Sequence, residues 1–179
     1  MPSLDALDRR LLMVARTRFH GPRRERVIST CSRLGEHAAC WLVLGMAGAA
    51  VDPARRGAWL RGTAAVAASY GLNYAVKLVV RRPRPQLEGL PPLTPTVSRL
   101  SFPSAHATTS FTAAGVFRGL CPPGALYGVA GAFAVSRPYL GVHYPSDVLA
   151  GAALGTGVAA VYGAVTGGAS SGAGGAVTA

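Results

Sequence analysis

Five long apolar segments, separated by short islands of arginine, proline and aspartate, constrain this chain more than any other feature. They run over residues 37–51, 58–80, 106–120, 125–135 and 148–165, with Ala and Gly recurring throughout. A soluble domain of this length carries about a quarter of its residues as charges. Here 14% are charged, half are hydrophobic and the mean hydropathy is +0.31, so the composition points into a bilayer. Several segments fall short of the roughly 20 residues that an unaided span needs, which keeps a soluble helical bundle as the alternative. Tilt and local thinning accommodate short spans in a compact bundle, and small residues let its helices pack closely.

Ahead of these segments, Leu4, Leu7, Leu11, Leu12, Ala15 and Phe19 recur at helical spacing, with Asp5, Asp8, Arg9, Arg10, Arg16 and Arg18 between them. This pattern predicts an amphipathic helix, either lying on the membrane surface or packed as a poor first span. Its interleaved charges do not read as a cleavable signal. Residues 20–36 read as basic and polar, and residues 167–179 as a disordered Gly/Ser-rich tail. The expected fold class is all-α: an integral membrane bundle of about six helices, five spans plus the N-terminal amphipathic helix.

The net charge of +11 raises the possibility of a nucleic-acid partner. The arginines flank apolar runs instead of interleaving with aromatics, so no nucleic-acid partner is expected. Such placement suits anionic lipid headgroups or a phosphorylated substrate. Of 18 basic residues, Lys77 is the single lysine, and a compact ammonium is not interchangeable with a guanidinium where it meets phosphate. Cys31, Cys40 and Cys121 form no CxxC and read as small buried hydrophobes, with no zinc site or disulfide framework.

Alternation of the segments across a bilayer brings three polar islands to one face. Lys77 and Arg84 lie at the exit of the 58–80 segment, Ser104 and His106 at the entrance of the next, and Arg137, His143 and Asp147 between the last two. Lys77, Arg84 and Arg137 are cations suited to a phosphate dianion. A helix starting near Ser104 would aim the N–H groups of Ala105 and His106 at the same anion. Pro145 suits a first helical position, which puts Asp147 in the first turn of the last helix and His143 just before it. A carboxylate on one imidazole nitrogen leaves the other free to attack. The expected division is His143 as nucleophile, His106 as acid and then base, Asp147 orienting His143, and Lys77, Arg84, Ser104, Ala105 and Arg137 holding phosphate. Asp147 is the only acidic residue after Glu88, too few carboxylates for a two-metal phosphatase, so no metal or other cofactor is expected.

KLVVRRPRP at 77–85, PSAH at 103–106 and SRPYLGVHYPSD at 136–147 together resemble the three signatures of the type 2 phosphatidic acid phosphatase family, which shares its site with vanadium-dependent haloperoxidases. The resemblance covers about residues 60–165. It implies a six-helix membrane bundle and a metal-independent lipid phosphate phosphatase, with the same residues in the same roles. One departure stands out: Ala105 occupies the usual glycine of PSGH, which is harmless in a helix and strained at positive φ. The chain is expected to be one phosphatase domain over residues 1–166, with a basic N-terminal part at 1–36 and a catalytic core at 60–165. As a small, Arg- and Ala-rich member the chain is similar to the actinobacterial enzymes of the family that dephosphorylate polyprenyl-phosphate sugars such as decaprenylphosphoryl-5-phosphoribose, which implies a substrate of that class. Undecaprenyl diphosphate, phosphatidic acid and phosphatidylglycerophosphate stay open as substrates, and a haloperoxidase or a lipid-binding membrane scaffold as other functions.

Overall fold

The computed structural model of the chain describes residues 4–171. They form α1 (Leu4–Thr17), α2 (Pro22–Leu34), α3 (Ala39–Val51), α4 (Arg56–Val80), α5 (Ala105–Val116), α6 (Pro123–Tyr139) and α7 (Pro145–Ser171), with single 3-10 turns at Glu36–Ala38 and Pro53–Arg55. The all-α architecture agrees with the sequence, and the seven helices among the described residues are compatible with the expected bundle of about six. The helix without a counterpart among the expected segments is α2, in the stretch read as basic and polar. Pro22 occupies its first turn and Gly35 ends it. Its surface is mostly exposed, so it lacks an apolar stripe, and a buried Ser32 seats it on the bundle. Cys31 lies exposed on α2, which corrects the expectation that all three cysteines are buried; Cys40 and Cys121 are half-buried. Helix α7 reaches Ser171, past the expected start of the tail, and residues 172–179 lie outside the described residues.

Helix α5 is the hub, packed against α4, α6 and α7, with most of its residues buried. Its close approach to α7 depends on glycine. A Cβ at Gly151 would stand 2.5 Å from the Ser104 carbonyl oxygen, and one at Gly155 would collide with the carbonyl of Thr108. Thr112 Oγ1 joins the two helices by donating to Thr108 O (2.9 Å) and Gly155 O (3.2 Å). Because backbone cannot retreat as a flexible side chain can, Gly155→Ala is expected to destabilise the fold by about 1–3 kcal/mol. A lowered midpoint of thermal unfolding in detergent would register it.

Polar and apolar residues are distributed inside out. Ser69, Asn73, Thr108 and Thr112 are buried, while Val43, Val51, Val79, Val135, Leu149, Val161 and Val165 face outward. Among the described residues, α7 is the helix long and apolar enough to cross a membrane alone, with a mean hydropathy of 1.8 over its best window, yet only 17% of that window is buried. A soluble core helix of that hydropathy would be hidden. Residues 22–34 and 36–51 pass the same test as a pair bent by 49°. Helix α1 has 14 residues, about 21 Å at 1.5 Å per residue. That is too short for a hydrocarbon core of about 30 Å. It packs instead against α6 and α7.

Candidate active site

The end of α4, the start of α5, the end of α6 and the turn before α7 line one cleft, together with the Gly35–Ala38 turn and the loop from 81 to 104. Lys77, Arg84, Ala105, His106, Arg137 and His143 all face it, so these expected site residues are brought together. Ser104 and Asp147 are fully buried beside them.

Lys77 occupies the last turn of α4, and its Nζ donates to the carbonyls of Pro103 (2.7 Å), Ser101 (3.2 Å) and Leu100 (3.3 Å). An ammonium has three donors, so Lys77 fastens the loop that leads into α5 and presents the cleft with charge more than with free N–H groups. Asn73 Nδ2 supports the same turn through Thr108 Oγ1 (2.9 Å) and Pro103 O (3.3 Å).

Arg84 bridges two loops. Its Nε donates to Ser98 O (2.7 Å), and its Nη1 lies 2.7 Å from Val142 O and 3.1 Å from His143 Nε2. Burial pushes its guanidinium down to about 10, so it stays charged at neutral pH. Arg137 lies in the last turn of α6, so the helix runs past the apolar 125–135 segment into the polar island that follows it. Its Nη1 donates to Ser32 Oγ (2.7 Å), and its Nε is buried without a partner in the chain.

Ser104 precedes the first residue of α5. Its amide donates to Asp147 O (2.9 Å), its hydroxyl makes no cap hydrogen bond, and Oγ is a buried atom without a partner. Helix geometry leaves the N–H groups of Ala105 and His106 without intrahelical acceptors. Ala105 opens the helix and is absent from the residues with positive φ, so alanine sits here without strain.

The two imidazoles differ in which nitrogen holds the proton. Arg84 always donates, so His143 Nε2 accepts, and the neutral ring carries its proton on Nδ1. Nδ1 faces Asp147 Oδ2 at 3.5 Å, within ion-pair reach but longer than a formed hydrogen bond. Burial first, then the charges of Arg84, Arg137 and Lys77, hold the His143 imidazole well below the usual histidine range. The ring is held neutral, with Nε2 unprotonated beside Arg84. His106 Nε2 lies 2.9 Å from Ser32 O, an acceptor, so this nitrogen carries the proton. The 3.5 Å approach of Arg137 Nη1 to the same nitrogen sets two donors face to face and is no hydrogen bond.

Three residues at the site escape sequence reasoning. Ser32 of α2 touches both Arg137 and His106. Arg82 donates to Asp147 Oδ1 at 2.9 Å. Asp8 of α1 pairs with Arg82 at 2.9 Å. Arg82 is one of three arginines in RRPR with no spacing to single it out, and Ser32 and Asp8 lie in segments remote from every motif.

Three cations, two imidazoles and a helix N-terminus around one cleft define a phosphoryl-handling enzyme on an all-helical bundle. The chain belongs to the PAP2 superfamily, which matches residues 58–168, and is a phosphatase of that family. It is 43% identical over 147 residues to the decaprenylphosphoryl-5-phosphoribose phosphatase of Mycobacterium tuberculosis, covering 76% of this chain and 77% of the relative. The Mycolicibacterium smegmatis protein of the same name is 42% identical over 67% of each chain. The fold is similar to that of the transmembrane PAP2-type phosphatidylglycerolphosphate phosphatase from Bacillus subtilis, with a TM-score of 0.76 and 23% identity over 94% of this chain and 88% of that one. Aquifex aeolicus LpxE gives a TM-score of 0.73 at 24% identity, over 88% and 94% respectively.

Proposed function

We propose that this protein is a multi-pass membrane phosphatase that hydrolyses the terminal phosphomonoester of a polyprenyl-phosphate sugar, with decaprenylphosphoryl-5-phosphoribose as its substrate, through a phosphohistidine intermediate. The observation that carries the chemistry is the state of His143: Nε2 unprotonated on the cleft side beside Arg84, and Nδ1 turned to a buried carboxylate. The substrate rests on the kinship with the mycobacterial enzymes. Membrane insertion rests on the apolar exterior and the exposed α7. Helices α3 to α7 are the five spans in this reading, with α3 and α5, of 13 and 12 residues, crossing as short apolar members of a packed bundle. Helix α1 instead carries charges along its length and lies with α2 at the end that carries the site.

The phosphate enters between Arg84, Arg137 and the first turn of α5, with Lys77 adding charge and Ser104 Oγ and Arg137 Nε as unused donors. Arg84 moves from His143 Nε2 to a phosphoryl oxygen. Nε2 attacks phosphorus and the P–O bond to the sugar breaks. His106, as the imidazolium that the bound phosphate dianion stabilises, gives a proton to the leaving alkoxide and becomes neutral, and Asp147 accepts a hydrogen bond from the Nδ1–H of the phosphorylated ring. Water activated by His106 then breaks the N–P bond, which releases inorganic phosphate and restores both imidazoles. Developing charge is balanced by side-chain cations and helix N–H groups, so the reading is of a metal-independent reaction.

Phosphate release by the purified protein in detergent tests this reading. The panel is decaprenylphosphoryl-5-phosphoribose, undecaprenyl diphosphate, phosphatidic acid and phosphatidylglycerophosphate, with and without EDTA. The expected result is the highest kcat/KM for the phosphoribose lipid, unchanged by EDTA. Preference for another member of the panel would overturn the substrate, and activity lost to EDTA and restored by Mg²⁺ would overturn the chemistry.

A further inference from the structure

Helix α1 lies outside the part of the chain that matches the PAP2 superfamily, yet one of its carboxylates reaches the back of the site. Asp8 is 5% exposed on a helix whose Leu4, Leu7 and Leu11 face outward. Its Oδ1 accepts from the Ser146 amide (2.9 Å), and its Oδ2 accepts from the Ser146 hydroxyl and from Arg82 Nη2 (2.9 Å). The other arm of Arg82, Nη1, donates to Ser146 Oγ (2.7 Å) and to Asp147 Oδ1 (2.9 Å). The guanidinium lies over the Tyr144 ring, 4.1 Å from its centroid. Asp147 Oδ2 accepts from the Tyr144 amide (2.9 Å) and faces His143 Nδ1.

From this chain of contacts we infer that Asp8 is a positioning residue for the reaction, acting through Arg82 on the Asp147–His143 pair. The inference deepens the proposed mechanism and rests on its assignment of His143 as nucleophile. Two physical effects support it. The first is charge. If Arg82 paired with Asp147 alone, guanidinium and carboxylate would neutralise each other, and Asp147 would attract the Nδ1 proton of His143 weakly. Asp8 shares the same guanidinium, which the exposed Asp5 also reaches more loosely at 3.4 Å, so Arg82 is not spent on Asp147 alone and the Asp147 carboxylate keeps more of its negative charge toward Nδ1. That charge is needed most when the ring becomes cationic on phosphorylation. The second effect is geometry. Two-pronged pairing fixes the guanidinium plane, and the Tyr144 face clamps it, so Asp147 Oδ1 has one anchored donor and Oδ2 is left aimed at the imidazole. Because Ser146 precedes Asp147 in the first turn of α7, the bonds from Asp8 to its amide and hydroxyl also hold the start of that helix. The binding side of the cleft, formed by Arg84, Arg137, Lys77 and Ser104, makes no contact with Asp8. Removing Asp8 should therefore affect turnover and leave substrate binding alone.

Steady-state hydrolysis of decaprenylphosphoryl-5-phosphoribose in detergent micelles, by the full chain, separates the outcomes. Asp8→Asn keeps shape and removes the charge. It is expected to lower kcat by about tenfold or more while KM stays within about twofold and the thermal midpoint shifts little. Arg82→Gln is expected to lower kcat by at least as much, and the double variant should be no slower than Arg82→Gln, as for residues acting in one line. Wild-type kcat in Asp8→Asn, a rise in KM at unchanged kcat, or losses that multiply in the double variant would each overturn the proposal. If Asp8→Asn cannot be isolated folded, Arg82→Lys makes the test with the positive charge kept and the two-pronged geometry lost. A tenfold fall in kcat supports the relay and an unchanged kcat overturns it. Turnover surviving in His143→Ala would instead remove the mechanism beneath it, so the two failures are distinguishable.

Discussion

His143→Ala is expected to abolish turnover, with a loss of about 10⁴-fold or more, as when the nucleophile of a hydrolase is removed, while the protein stays folded and still binds phosphate. The size of the effect follows from His143 being the imidazole whose Nε2 stands unprotonated beside Arg84. His106 Nε2 is protonated against the Ser32 carbonyl, and Lys77 Nζ is engaged by three backbone oxygens. The fold should survive because the ring's own bonds are few. Its Nδ1 lacks a formed hydrogen bond, and Arg84 keeps its bonds to Ser98 O and Val142 O without it. Release of inorganic phosphate measures the loss. Rapid acid-free quenching with labelled substrate should trap an alkali-stable, acid-labile phosphoenzyme in the wild type and none in the variant. Turnover within tenfold of wild type would end the phosphohistidine mechanism.

The second large effect is expected at Arg137. Replacing it by glutamine should lower kcat/KM by about 10²–10³-fold, the range for losing one preorganised donor to a developing oxyanion. Thermal stability should not fall with it. Arg137, Arg84 and Lys77 stand close enough in one buried cleft to repel one another. Removing one cation relieves that repulsion, at the loss of one hydrogen bond to Ser32 Oγ. A hydrogen bond from a charged group contributes about 1.5–3 kcal/mol, and relief of the mutual repulsion among like charges clustered in a buried cleft offsets a loss of that order. Arg137→Lys should recover little activity, because the ammonium restores charge and not the planar fork. Kinetics on the substrate panel with parallel unfolding curves would test both halves. A variant that loses stability in step with activity would show Arg137 to be a structural staple.

Much of the site was legible because its chemistry sits in short local signatures. A phosphate needs cations, a helix N-terminus and a proton carrier within a few ångströms, and helix ends supply these from single turns such as PSAH or HYPSD. The position of Ala105 is also decided locally: at the opening of α5 an alanine is as good as a glycine. Helix α2 was not legible, since a surface helix seated by one serine and a turn carries no apolar period. Nor was the double duty of Lys77, whose carbonyl partners lie 23 to 26 residues ahead in a proline-rich loop.

By itself the sequence determined the all-helical class, the apolar segments and which cations and imidazoles stand at the helix ends that the fold gathers into one cleft, because hydrophobic period and helix-end chemistry are properties of neighbouring residues. Tertiary structure alone decided which protons sit on which imidazole nitrogens and which groups stand behind them. Asp8 meets Arg82 across 74 residues, and Ser32 meets Arg137 across 105. Pairings of that kind follow from how helices pack, where burial makes an unpaired charge too costly to leave alone, and no local pattern records them.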